Sequence, residues 1–199
     1  MMALPNEQQL YEIAEAQAGY FTAKQAGDAG YSRQLLGHHT LAGNIQRVQH
    51  GIYRLTRFPH SPREDLYVAW LRCGPRAVIS HDSALELYGL SDAMPAETHV
   101  SVPRGASLRR PGIRLHTGEL RPDEITQWQG LPVTTVERTI ADVAARGAQE
   151  WVVRQAIVEA LARGRALPES LLTQAQRLRG PARAVLTRLV EQARQGVPT

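Results

Sequence analysis

Residues 19–55 confine the chain more tightly than any other stretch, because helix starters, glycines and alternating apolar residues come there at intervals that few folds satisfy. Thr22 is a helix N-cap residue, and Ala23, Ala26 and Ala29 follow at helical spacing until Gly30, which can take the left-handed conformation that ends a helix. Ser32 is a second N-cap, opening a longer helix over residues 33–42 with Leu35, Leu36 and His39 on one side and Gly43 closing it. Ahead of both, residues 6–18 place Leu10, Ile13 and Ala14 at helical spacing, with Gly19 positioned as the stop. Short helix, glycine turn and longer helix make a helix-turn-helix. Ile45-Gln46-Arg47-Val48-Gln49 and Ile52-Tyr53-Arg54-Leu55 then alternate apolar with polar residues around His50-Gly51, the pattern of a two-stranded hairpin. A hairpin directly after the second helix is a wing. The Pro59-His60-Ser61-Pro62 break is expected to end this first domain, at residues 1–60.

Charge points the same way. The net charge of +4 suits a polyanionic partner without demanding one, but its distribution is uneven. Between Asp28 and Glu64 stand Arg33, Arg47, Arg54, Arg57 and Arg63, with His38, His39, His50 and His60 and no carboxylate. Ser32, Arg33 and Gln34 at the start of the longer helix, with His38 one turn later, are placed to reach base edges in a major groove. Arg47, His50 and Arg54 on the hairpin are placed to hold phosphates or the minor groove beside it. These seven are the candidate DNA-binding residues. His39, Ile52 and Tyr53 are expected to pack inward and hold the wing in place.

The remainder, residues 61–199, reads as a second, mixed domain. A helix is expected at 64–72, a short strand at Val78-Ile79, and a helix started by Ser80 or Ser83, with Ser83-x-x-Glu86 in capping-box form. Strands are expected at 98–102 and 113–116 and an extended piece near 125–133. Thr134-x-x-Glu137 would open a helix with Val136, Ile140, Val143 and Ala144 inward, Arg138 and Asp142 pairing on its surface. From about residue 149 to 195 come two or three helices broken at Gly164, near Pro168 and at Gly180-Pro181, their arginines read as solvated faces. The fold class is therefore α+β: a winged helix-turn-helix, a mixed domain with a small β-sheet, and a helical C-terminal tail.

Motifs for chemistry are sparse. Ser80-His81-Asp82 has the residues of a nucleophile, base and orienter, but neighbours at a helix start diverge by about 100° and helix capping explains them better. There is no GxSxG. His81, His99 and His116 lack HExxH spacing and are read as hydrogen-bonded strand histidines in place of metal ligands. Lys24 is the only lysine beside 22 arginines and lies in the helix-turn-helix, which excludes a P-loop. Asp82, Glu86, Asp123, Glu124, Glu137 and Asp142 form no DxD or PD...ExK pair for magnesium. The loop Arg104–Arg110 reads as a solvated connection between strands. No catalytic residue, metal or cofactor is expected. Cys73 is the single cysteine and no apolar run reaches the ~18 to 20 residues of a membrane helix, so a cytoplasmic protein is expected, with no membrane partner.

Tyr31-Ser32-Arg33-Gln34-Leu35-Leu36-Gly37-His38-His39, continuing to Arg47-Val48-Gln49-His50-Gly51-Ile52-Tyr53-Arg54-Leu55, resembles the N-terminal domain of AbiEi-family antitoxins from bacterial type IV toxin-antitoxin systems. Val78-Ile79-Ser80-His81-Asp82-Ser83-Ala84-Leu85 and Leu131-Pro132-Val133-Thr134-Thr135-Val136-Glu137-Arg138-Thr139-Ile140-Ala141-Asp142 are similar to that family's second-domain signatures, in the same order. The resemblance spans residues 5–145. It implies an autorepressor that binds inverted repeats in its own promoter DNA and counters a nucleotidyltransferase toxin. Two other readings remain: a winged-helix regulator whose second domain senses a ligand or dimerises, and an enzyme that modifies the toxin.

Overall fold

A computed structural model describes residues 4–92, 95–105 and 110–196; Ala106, Ser107, Leu108 and Arg109, the middle of the expected solvated loop, lie outside the described residues. The chain divides into two compact units, one of Met1–Ala77 with Gln127–Leu131 and one of Val78–Thr126 with Pro132–Thr199.

The first unit runs α1 (Glu7–Glu15), β1 (Tyr20–Thr22), α2 (Ala23–Asp28), α3 (Arg33–Leu41), β2 (Ile45–Gln49), β3 (Ile52–Leu55) and α4 (Glu64–Cys73). Its helix starts follow the local chemistry. Asn6 Oδ1 accepts from the Gln9 N–H, Thr22 and Gln25 cap each other reciprocally, and Ser32 Oγ accepts from the Leu35 N–H at 3.1 Å. Strand β1 was not expected, since three residues are too short to show an alternation. It forms because Ala18 and Gly19 both take positive φ, 53° and 94°, and turn the chain off α1 into register with β3. Tyr20 faces Arg54 and Thr22 faces Ile52 in that antiparallel pair, while β2 takes the other edge of β3 with a bulge between Arg47 and Gln49. The three helices before the wing close on Leu10, Ala14, Phe21, Ala26, Leu36 and Leu55. Helix α4 joins this unit through Tyr67, which stacks on Tyr20 at 5.2 Å and donates its hydroxyl to the Gln129 carbonyl at 2.6 Å.

The second unit holds β4 (Val78–Ile79), α5 (His81–Leu87), β5 (Thr98–Val102), β6 (Ile113–Thr117), the strands β7 (Ile125–Trp128) and β8 (Leu131–Thr134), and helices α6 (Val136–Ala145), α7 (Glu150–Ala162), α8 (Pro168–Gln176) and α9 (Pro181–Gly196). The sheet order is β6-β5-β4-β8-β7, mixed in direction: β4 runs antiparallel to β5 and parallel to β8, and β5 runs parallel to β6. Helix α6 is the hub, packed by α5, α7, α8 and α9, with Ile140 and Val143 fully buried.

Three local expectations are corrected by this packing. Ser83 lies inside α5, and its hydroxyl accepts the His99 N–H at 2.8 Å instead of capping a helix. Thr135, one residue later than expected, caps α6, while the Thr134 hydroxyl bonds that of Thr139. Arg138 and Asp142 do pair, at 2.8 Å, but in the interior, because Arg138 also reaches the buried Glu124 at 2.7 Å.

Gly130 has φ +82°, and a Cβ there would fall on the Ala16 carbonyl oxygen. Gly130→Ala is expected to cost on the order of 1–3 kcal/mol, read as a lowered midpoint in thermal denaturation. An unchanged midpoint would mean that the turn shifts freely.

Candidate nucleic-acid interface

The orientation of α3 follows from one buried side chain. Leu36 is drawn into the core and Leu35, His39 and Thr40 are half-buried, so the opposite side of the helix is left to solvent. That side carries Arg33, Gln34 and His38, all exposed. Ser32 stands at the end of it with its oxygen occupied by the cap, leaving the hydroxyl proton as what it can offer a partner. His39 lies over Tyr31 with ring centroids 5.6 Å apart. In the wing, Ile52 is buried and Tyr53 stacks on Phe21 at 5.9 Å, while Arg47 and His50 are exposed and meet each other across the turn, Nη2 to Nδ1, at 2.9 Å. Gly51, with φ +76°, makes that turn possible.

Arg54 departs from the expectation. Alternation places it on the outer face of the hairpin, but the side chain is drawn inward by partners on β2 and beyond β3. The residue is only 8% exposed, and its guanidinium donates to the Phe58 carbonyl at 2.6 Å and to Gln46 Oε1 at 2.7 Å. It leaves the candidate phosphate contacts and becomes a tie between β3, β2 and the chain that follows. Arg57 is likewise engaged, lying 4.3 Å over the Tyr11 ring.

In the second unit the three histidines read as separate strand residues come together. The rings of His81 and His116 stack at 3.5 Å, and His116 Nε2 lies 3.3 Å from His99 Nδ1, which is 3.1 Å from Asp82 Oδ2. Asp82 is held in turn by Arg146 at 2.5 Å. The Ser80 side chain does not cap α5, contrary to expectation. It accepts from Ser101 at 2.8 Å and meets His81 Nδ1 at 3.0 Å, a contact made possible by the left-handed φ of 52° at His81. Such a conformation in a residue with a Cβ costs about 1–3 kcal/mol. Burial, then the neighbouring imidazoles and guanidinium groups, push His81 down to about 2 and His116 down to about 4, and burial also lowers His99 against the pull of Asp82. Burial pushes the Asp142 carboxyl up to about 6 despite Arg138. Among the described residues no group of three or more histidine, cysteine or carboxylate side chains is arranged to hold a metal ion, and no helix is long and apolar enough to cross a membrane.

Residues 8–56 match the family model described as a transcriptional regulator, AbiEi antitoxin, and residues 76–191 match that of the AbiEi antitoxin C-terminal domain. The chain belongs to the AbiEi antitoxin family. The N-terminal description is that of a transcriptional regulator, and both name an antitoxin. No curated protein matches. Among solved structures, the RV2827C protein from Mycobacterium tuberculosis is similar in fold, with a TM-score of 0.58 at 13% identity over 97% of this chain and 79% of that one.

The exposed face of α3 in this AbiEi antitoxin includes two further residues, neither of them polar. Leu41 is 92% exposed, and Gly37 is exposed with no atom near the position of a Cβ. A glycine inside a helix costs about 1 kcal/mol relative to alanine, and nothing in the unit's own packing requires it. Its effect is to leave the middle of that face without side chains. The spacing 33, 37, 41 was the signal available for both.

Two outcomes are expected. Arg54→Ala should lower stability by about 1–3 kcal/mol in urea denaturation, since the Phe58 carbonyl and Gln46 lose their buried partner, and an unchanged midpoint would return Arg54 to the surface. Acidification should destabilise the second unit: histidines with an ordinary value of 6.5 take up protons in the unfolded chain first, so stability held above that value is lost as pH falls toward 4. Each contributes up to about 1.4 kcal/mol per pH unit, while Asp142 acts in the opposite sense between 3.8 and about 6. Urea titrations at several pH values, with His116→Phe giving the shallower slope, check the assignment.

Proposed function

We propose that this AbiEi antitoxin is a cytoplasmic autorepressor that binds double-stranded DNA at inverted repeats in its own promoter, and that it counters a nucleotidyltransferase toxin. The observation that carries the DNA-binding half is the solvent face of α3 beside the wing, within a stretch of the sequence that has no carboxylate between Asp28 and Glu64. An α-helix of this kind fits the major groove. Arg33 is suited to a bidentate contact with guanine, Gln34 to adenine, and Ser32 and His38 to single hydrogen bonds with base edges. Arg47 and His50 at the tip of the wing are suited to phosphates, which give orientation and salt dependence and carry no sequence information. The family descriptions support the antitoxin role, and rescue of growth when the neighbouring toxin gene is co-expressed tests it.

The DNA-binding test is a fluorescence-anisotropy titration against the protein's own upstream DNA and a scrambled duplex of equal length, at several salt concentrations. Selectivity of about a thousandfold is the expected result. Equal binding to both duplexes would remove the repressor reading. Arg33→Ala should cost about 1–3 kcal/mol on the operator and relax sequence choice, whereas Arg47→Ala should weaken both duplexes together and reduce the salt slope by about one. Equal losses on both duplexes from the first change would move Arg33 into the phosphate-contacting group.

A further inference from the structure

The second unit contains a cavity of about 350 Å³ lined by His81, Ser101, His116, Thr117, Arg138 and Asp142 among others. The hydrogen bonds around it determine where the imidazole protons sit. Ser80 is fully buried and already accepts from Ser101, so among the described residues the acceptor left for its own hydroxyl proton is His81 Nδ1. His81 therefore carries its proton on Nε2. On the other side, His99 Nδ1 faces the Asp82 carboxylate and must be the protonated nitrogen of that ring. His116 Nε2, lying against that same N–H, is then the acceptor, and the His116 proton is on Nδ1. Among the described residues neither His81 Nε2 nor His116 Nδ1 has a hydrogen-bond partner, and Arg138, with Nε on Asp142 and Nη1 on Glu124, has none for Nη2. The residues lining the cavity thus hold three donor nitrogens that no group among the described residues receives.

We infer that this cavity is a binding site for a tetrahedral oxyanion, the phosphate group of a small phosphomonoester or free phosphate. Three unpaired donors match the several acceptor oxygens of a phosphoryl group better than the two of a carboxylate. The local field favours an anion as well. The Arg138 and Arg146 guanidinium groups help to hold His81 neutral, and Arg114 and Arg146 do the same for His116 against Asp82. Of the nearby carboxylates, Asp82 is paired with Arg146 and Glu124 with Arg138 and Arg177, while Asp142 is paired with Arg138 through Oδ1 and keeps a buried Oδ2 without a partner, an acceptor suited to the proton of a monoprotonated phosphoryl group. The volume exceeds that of a bare phosphate, and the half-buried Leu115 and Leu120 in the lining give apolar surface for the rest of an ester. The strained backbone at His81 belongs to the same arrangement, because it brings the ring onto both Ser80 and His116.

The test is a titration of the full chain with inorganic phosphate, adenosine 5′-monophosphate and adenosine, at constant ionic strength set with chloride, following the imidazole C–H resonances of His81 and His116 by NMR. Saturable shifts of both rings with phosphate or the monophosphate, and none with adenosine, are expected. Tighter binding of the monophosphate would identify the ester as the occupant, and equal affinities would identify free phosphate. His116→Phe keeps the ring stack and removes one donor, and Leu120→Phe fills the cavity from its apolar side. Each should weaken binding at least tenfold, with the thermal midpoint showing that the chain remains folded. Absence of shifts with both anions, equal shifts with adenosine, or unchanged affinity in the two folded variants would overturn the inference.

Discussion

Strand β3 carries the N-terminal unit, because every other element of that unit is positioned by something β3 holds. Its two edges are taken by β1 and β2, so the short strand that no alternation announces closes the side of the sheet that would otherwise face water. Ile52 and Leu55 are buried in it, and Tyr53 is stacked on Phe21 of β1. Arg54 is the costly member, a guanidinium taken out of water, and it is tolerated because the Phe58 carbonyl and Gln46 receive two of its N–H groups. With β3 held in this way, the bulge in β2 and the positive φ of Gly51 set where Arg47 and His50 emerge. The exposed surface is thus a consequence of the sheet and of Leu36, which turns α3 so that Arg33, Gln34 and His38 remain in solvent.

The second unit is organised around polar side chains that have been given partners inside it. Arg138 lies between Glu124 and Asp142, and Glu124 also receives Gln174 and Arg177 from α8 and the residue after it. An ion cluster of this kind is weak evidence for stability, but removing one member strands the others in the interior, so it ties α8 to α6 and to the turn before β7. At the β4–α5 turn a second network runs from Ser101 through Ser80 to His81, and from Arg146 through Asp82 to His99 and His116. Here the partners run out, and unpaired donors are left where a cavity begins. The two units therefore differ in what they offer: the first an exposed, carboxylate-free helix face and wing, the second an open cavity bordered by imidazole and guanidinium groups.

Much of this was written locally. The N-caps Thr22 and Ser32, the glycines at 30, 43 and 51, the hairpin alternation and the breaks at Gly164 and Gly180 act through the nearest few residues, which is why the helix-turn-helix, the wing and the C-terminal helices were legible in order. The same local signals failed where a distant segment competed for the same atoms. Ser83 had the form of a capping residue, yet the His99 N–H claimed its hydroxyl. Arg54 stood at a polar position of an alternating strand, yet the Phe58 carbonyl and Gln46 drew its guanidinium inward. The histidines at 81, 99 and 116 had no metal-binding spacing, and no spacing rule describes rings stacked between a helix start and two parallel strands.

The sequence by itself determined the punctuation of the chain, the basic stretch free of carboxylates and the family, because capping chemistry, glycine conformations and charge composition are properties of short segments. Only the tertiary structure decided which cations remain available and which are spent on folding, and which imidazoles come together. Burial and hydrogen-bond direction depend on residues brought together from far apart in the chain, and a side chain's role changes when such a neighbour takes its lone pair or its proton.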